Sequence, residues 1–144
     1  MSKLKNNSLG ISSIDSLKYR IPIHQVDILN KNILDKLVNV KTNTETGEVI
    51  EETPIQANSL KIQRGGYQIH FGIQKMPDCK YLVVIINSYL LEKKYLEGIT
   101  LANIELVYNN LMKCEVFKMS FENFLEYGVC SDIDIKKDLE LEKG

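Results

Sequence analysis

The sequence contains no tryptophan, three prolines, and only two histidines and two arginines in 144 residues. The histidines are His24 and His70. Nucleophilic catalysis needs a base beside a Ser, Cys or Thr, and neither histidine stands in a recognisable nucleophile motif. No Walker-type or dinucleotide glycine pattern occurs. The three cysteines, Cys79, Cys114 and Cys130, are odd in number, widely spaced and without a CxxC pair, which argues against a zinc site. Reduced thiols suit a cytoplasm. No run approaches the ~18 apolar residues of a membrane span. The opening MSKLKNNSLG lacks the apolar stretch of a secretion signal. The expectation is a cytoplasmic protein without a cofactor and without a membrane partner.

What is present suits one globular domain. Hydrophobic residues make up 44% and charged residues 26%, and a chain of this length buries roughly two-thirds of its unfolded surface. Lys and Arg number 18 against 19 Asp and Glu, a net charge of −1, which is not the global charge of a dedicated phosphate binder. The distribution is uneven: residues 1–31 carry a net +3, and residues 45–52 carry four glutamates and no cation. Two functional faces or ordinary mixed surface both fit this pattern. Lys, Ile and Asn, which share AT-rich codons, are abundant, as in low-GC bacteria and their mobile elements.

The pattern predicts an α+β fold, a mostly antiparallel sheet built from hairpins with two or three helices packed on one face. Residues 1–12 read as a flexible arm, 13–138 as a single domain and 139–144 as a charged tail. Alternation of Leu17, Tyr19, Ile21 and Ile23 predicts a first strand over 14–23, with Pro22 near an edge or an end. Residues 25–37 admit a short helix. Residues 38–51 suggest a hairpin turning at Thr44–Gly47, with Val38 and Val40 facing Val49 or Ile50. Residues 60–74 form the clearest hairpin, turning at Gly65-Gly66, with Tyr67, Ile69, Phe71 and Ile73 on one face. The YLVVII run at 81–86 predicts a central strand covered on both faces. Ser88 caps a short helix to Tyr95, Thr100 a firmer one bearing Ile104, Val107, Tyr108, Leu111 and Met112, and Ser120 a third bearing Phe121, Phe124 and Leu125. A short strand at 116–119 and a last strand at 129–138 complete the order.

Two clusters carry candidate chemistry. On the last strand, Asp132, Asp134 and Lys136 project together if alternation holds. Two carboxylates so spaced are either part of a divalent-cation site or the solvated side of a half-buried strand. The second cluster is a sheet face bearing Lys18, Arg20, Lys61, Gln63, Arg64, Gln68 and His70, with Tyr19 and Tyr67 within or beside it. Cations neutralise phosphates and rings stack on unpaired bases, so Lys18, Arg20, Lys61, Arg64, Tyr67 and His70 are candidate nucleic-acid-binding residues. The alternative is an amphipathic hairpin whose polar residues are merely wet and whose tyrosines face the core.

Three stretches, IDSLKYRIPIHQVDIL at 14–29, NSYLLEKKYLEGITLANIELVYNNLM at 87–112 and FLEYGVCSDIDIKKD at 124–138, resemble the amino-terminal region of rolling-circle replication initiation proteins of plasmids and phages. The resemblance matches Asp132 and Asp134 to an acidic strand of the family's nicking domain. It implies a metal-aided tyrosine nucleophile downstream, and this chain ends six residues after Asp138. His70, in Ile-His-Phe, also lacks the second histidine of the metal-binding pair found in many nicking enzymes. If Gly144 is the natural end, the resemblance implies a non-catalytic binding protein of a mobile element. Its partner would be RNA or single-stranded DNA, alone or within a host nucleoprotein. An anti-CRISPR-type inhibitor engaging a Cas effector or its guide RNA is one concrete form. The alternatives are the amino-terminal part of a metal-dependent nicking initiator, using a divalent cation, and a protein-interaction module using the acidic 45–52 loop.

Overall fold

The computed structural model describes residues 13–135 except Asn39 and Gly47. The expected arm at 1–12, the tail at 139–144 and Lys136 lie outside the described residues. Ten strands occur in order among the described residues. They are β1 (Ile14–Pro22), β2 (Asp27–Ile28), β3 (Leu37–Val38), β4 (Val40–Thr42), β5 (Val49–Glu52), β6 (Leu60–Arg64), β7 (Tyr67–Lys75), β8 (Lys80–Asn87), β9 (Phe117–Lys118) and β10 (Val129–Ile135). Two α-helices, α1 (Ile104–Met112) and α2 (Phe121–Tyr127), lie between β8 and β10. The fold is α+β, as the pattern predicts.

The main sheet runs β10-β1-β8-β7, and the far side of β7 pairs with β6 along its first half and β3 along its second. Only the β3 pairing is parallel; every other strand pair described is antiparallel. β2–β9 and β4–β5 form separate two-stranded ribbons. Pro22 ends β1, an interior strand, so its missing N–H interrupts no run of ladder bonds.

Alternation explains both faces. Leu17, Tyr19 and Ile21 of β1 stand in register with Ile86, Val84 and Leu82 of β8, and the last two with Phe71 and Ile73 of β7. All are buried and share one cluster with Val107 and Leu111 of α1, Phe124 of α2 and Phe117 of β9. Each such Leu, Ile or Phe contributes ~1.5–3 kcal/mol on burial. The opposite face of β8 is covered too: Val83 packs with Val38 and Ile55. Gly72, beside Val83 on β7, leaves room for them, because a Cβ there would lie 3.1 Å from Val38 and 3.2 Å from Ile55. The expected doubly covered central strand is therefore present.

The helix layer locks onto the sheet through Tyr19. Its ring stacks on Phe124 at 4.6 Å between centroids, and its hydroxyl donates to the Phe124 carbonyl at 2.7 Å. Ser120 caps α2 as expected, its Oγ accepting from the Asn123 N–H. Asn103, rather than Thr100, occupies the N-cap of α1, and its side-chain oxygen accepts from the Thr100 N–H.

Several local expectations are corrected. In place of the short helix admitted over 25–37, β2, a five-residue 3-10 turn at Lys31–Asp35 and the start of β3 share the segment. Asn30 accepts from the Asn32 N–H and begins that turn, and Ile33 is its buried residue. The acidic hairpin exists as β4–β5, but Val40 faces Glu52 and Thr42 faces Val49, while Val38 has left to pair with β7. Residues 88–97 form 3-10 turns broken at Glu92, not one helix.

Gly128 follows α2 against the Tyr19 ring, and a Cβ added there would lie 2.1 Å from a ring carbon and 2.4 Å from the hydroxyl oxygen. Gly128→Ala therefore overpacks the junction and is expected to lower unfolding free energy by ~1–3 kcal/mol in urea titration. Gly66→Ala, with nothing within 4 Å, is the control and should change stability by ~1 kcal/mol at most. Equal effects of the two would contradict the packing described.

Candidate nucleic-acid interface

The candidate face divides in two. Strand registers align Ser131, Lys18, Ile85, His70 and Lys61 in one row across five strands. Lys18, Arg20, Lys61 and His70 thus lie on the outer face, opposite the helices, with exposed Gln63 and Gln68 beside them. The two β1 cations are engaged there. The Lys18 ammonium is 3.2 Å from Asp132, and Arg20 donates to the Gln74 amide oxygen at 3.0 Å. Lys61 is the exposed cation of the row.

His70 bonds to the buried Ser59 hydroxyl through Nδ1 at 2.9 Å. Partial burial, followed by the neighbouring Lys61 ammonium, lowers its pKa from the ordinary histidine value. The neutral imidazole is the folded form at neutral pH.

Arg64 and Tyr67 are not on this face. Arg64 alternates with Leu60 and Ile62, which pack against the main core, and it pairs across the hairpin with Tyr67, which packs there too. Tyr19 is likewise a core residue, 3% exposed. The stacking groups of the expected surface have therefore moved to the helix side of the sheet.

That move builds a second site. Gly65 takes φ +60° at the first central position of the two-residue turn, the II′ hairpin arrangement that glycine serves. Beyond the turn, Tyr67 stacks on Tyr89 at 5.7 Å and 27°. The Arg64 guanidinium lies 3.6 Å from the Glu92 carboxylate. Arg64, Gly65, Gly66, Tyr67, Tyr89 and Glu92 line a cleft of about 350 Å³. The Tyr67 hydroxyl is buried and completes no hydrogen bond of good geometry. Burial raises its pKa, and the nearby Arg64 charge opposes that rise. Glu92 holds φ 56° and ψ −116°, a conformation costly to a side-chain-bearing residue. Tyr89 and Glu92 were absent from the sequence candidates. A smooth helix over 88–95 would have hidden both, and no residue pattern announces the break at Glu92.

The acidic pair sits elsewhere, on β10. The register passes from Ser16–Asp134 to Lys18–Ser131, so Asp132 and Ile133 together oppose one residue of β1. This is a β-bulge, with Asp132 at φ 49°. Simple alternation fails there. Asp132 pairs with Lys18, and Asp134 accepts from the Ser16 hydroxyl at 3.0 Å. Among the described residues, no group of three His, Cys, Asp or Glu stands close enough to hold a metal ion. The three cysteines are half-buried thiols outside any disulfide, and burial raises the Cys114 thiol pKa. No helix among the described residues is long and apolar enough to cross a membrane.

His70 supplies a pH test with a definite sign. Its folded pKa lies below the unfolded one, so protons bind the unfolded chain more readily. Its contribution to stability is full above ~6.5 and is lost as pH falls toward the folded pKa. Proton NMR should place the His70 midpoint below 6.5, and Lys61→Ala should move it upward. A midpoint unmoved by Lys61→Ala would contradict the Lys61 contribution and leave burial as the cause. Set against known protein families, curated proteins and solved structures, the chain matches none of them.

Proposed function

We propose that this chain is a non-catalytic binding protein for single-stranded nucleic acid, RNA or DNA, held alone or within a nucleoprotein. One observation carries this function: a guanidinium, Arg64, and a stacked tyrosine pair, Tyr67 and Tyr89, converge on one concavity. Cations neutralise phosphates, and aromatic rings stack on unpaired bases without regard to sequence. The same hairpin carries Lys61 on its other side, so a strand lying along β6 meets a cation on each face, Arg64 on one and Lys61 on the other. The resemblance of 14–29, 87–112 and 124–138 to replication initiators points the same way. The most specific form is a mobile-element product that engages a Cas effector or its guide RNA. A nicking activity has no comparable support, because Asp132 and Asp134 already serve Lys18 and Ser16.

The test is fluorescence anisotropy with labelled single strands over a salt series. The Lys61→Ala/Arg64→Ala variant should bind more weakly at low salt. Its slope of log K against log salt should be shallower by ~0.7 for each phosphate that is no longer neutralised. Unchanged affinity and slope, for bare strands and for a nucleoprotein captured from the host, would end this function. A partner retained after nuclease treatment would instead favour protein recognition by the acidic hairpin β4–β5.

A further inference from the structure

We infer that Glu92 is a built-in competitor at the proposed site: its carboxylate holds the Arg64 guanidinium in the free chain and gives way to a strand phosphate. The inference rests on the proposed binding function and adds what controls it.

Arg64 is the cation of the cleft, and it is already engaged. Its guanidinium lies 3.6 Å from the Glu92 carboxylate and also meets the Tyr67 hydroxyl. A phosphate needs the same guanidinium, so binding exchanges one anion for another. The carboxylate is the weaker claimant. Charge-assisted N–H···O bonds run to about 2.7–2.9 Å, and this contact is longer. Ion pairs open to water hold only weakly. The two partners are also unequal: the Glu92 side chain is 53% exposed and the Arg64 side chain 26%. The carboxylate can swing into solvent while the cation keeps its place beside Tyr67.

The backbone shows what it costs to set the carboxylate there. Glu92 has φ 56° and ψ −116°, close to the first central position of a type II′ turn, about +60° and −120°. Glycine adopts these angles freely, and a residue with a side chain does not. The chain before Glu92 is fixed. Leu90 and Leu91 are buried, and Asn110 of α1 donates to the Leu90 carbonyl at 2.6 Å. Glu92 thus leaves a rigid anchor in a glycine conformation, and its carboxylate ends beside Arg64. A glycine at this position would remove the strain and the competitor together. Once displaced, the carboxylate still repels an incoming phosphate at short range. Glu92 therefore keeps the affinity of the cleft below what Arg64 alone would give.

Fluorescence anisotropy of the full chain with a labelled single strand at low salt tests this as a double-mutant cycle. Glu92→Gln should tighten binding about three- to tenfold. The same substitution in the Arg64→Ala background should change affinity by less than about twofold. Glu126→Gln removes an exposed charge from α2, so it controls for net charge and should also stay within about twofold. Glu92→Gly should tighten binding as Glu92→Gln does and raise the thermal midpoint besides, because it relieves the backbone. Tightening that persists without Arg64, or that Glu126→Gln matches, would overturn the competition and leave strand binding standing. Unchanged or weaker binding by Glu92→Gln, with Arg64→Ala still weakening it, would do the same. Binding detected only after Glu92→Gln would support both the competition and the proposed function. No binding of any strand, by the unaltered chain or by Glu92→Gln, would overturn both.

Discussion

The two-residue turn Gly65-Gly66 decides which side of the sheet each residue of its hairpin occupies. Strand side chains alternate with period two, so a slip of one residue would transfer every group to the other face. The turn fixes Arg64 opposite Tyr67 and Lys61 opposite His70. The first pair goes to the helix side and the second to the open side. Burial enforces the choice, since Ile69, Phe71 and Ile73 on β7 are each at most 1% exposed. Exposing them would cost far more than any polar contact on the outer face could return. The cleft at Arg64 is thus a consequence of core packing, placed where the hairpin meets the segment leaving β8.

The two faces of the sheet are unequal for a related reason. The inner face is closed by α1, α2 and β9, with Tyr19 bound to Phe124 by both stacking and a hydrogen bond. Among the described residues, the outer face is closed around Gly72 and Val83, where Val38 and Ile55 settle. The remainder shows Lys61, His70, Gln63 and Gln68, and its other cations are balanced locally by Asp132 or bonded to Gln74. A face with so little uncompensated charge attracts phosphate weakly. Arg64, set in a concave site beside two rings, is better placed, since low-dielectric walls strengthen the field of a charge.

Much of the fold was legible because its signals were periodic. Alternation in 14–23 and 60–74 found three strands and their buried faces, and the YLVVII run found the doubly covered one. Ser120 and Gly128 bracketed α2 at the right residues. Events governed by tertiary contact escaped. Val38 left its expected hairpin to cover Gly72, and the bulge at Asp132 broke an alternation that looked regular. The site was half legible. Residue type identified Arg64 and Tyr67, but parity along β6 assigned the wrong face, because the turn residue Arg64 was grouped with Lys61 rather than with Leu60 and Ile62. Tyr89 and Glu92 became neighbours of Arg64 through the kink in 88–97, which short-range propensity does not encode.

The central claim is that nucleic acid is held at the Arg64 cleft. The most direct measurement is a two-dimensional amide NMR titration of the uniformly labelled chain with a short single strand. The largest shifts should fall on Gly65, Gly66, Tyr89 and Glu92, with smaller ones at Lys61 and His70. Shifts confined to the acidic hairpin around Glu45 and Glu48, or none around the cleft at saturating strand, would contradict the account.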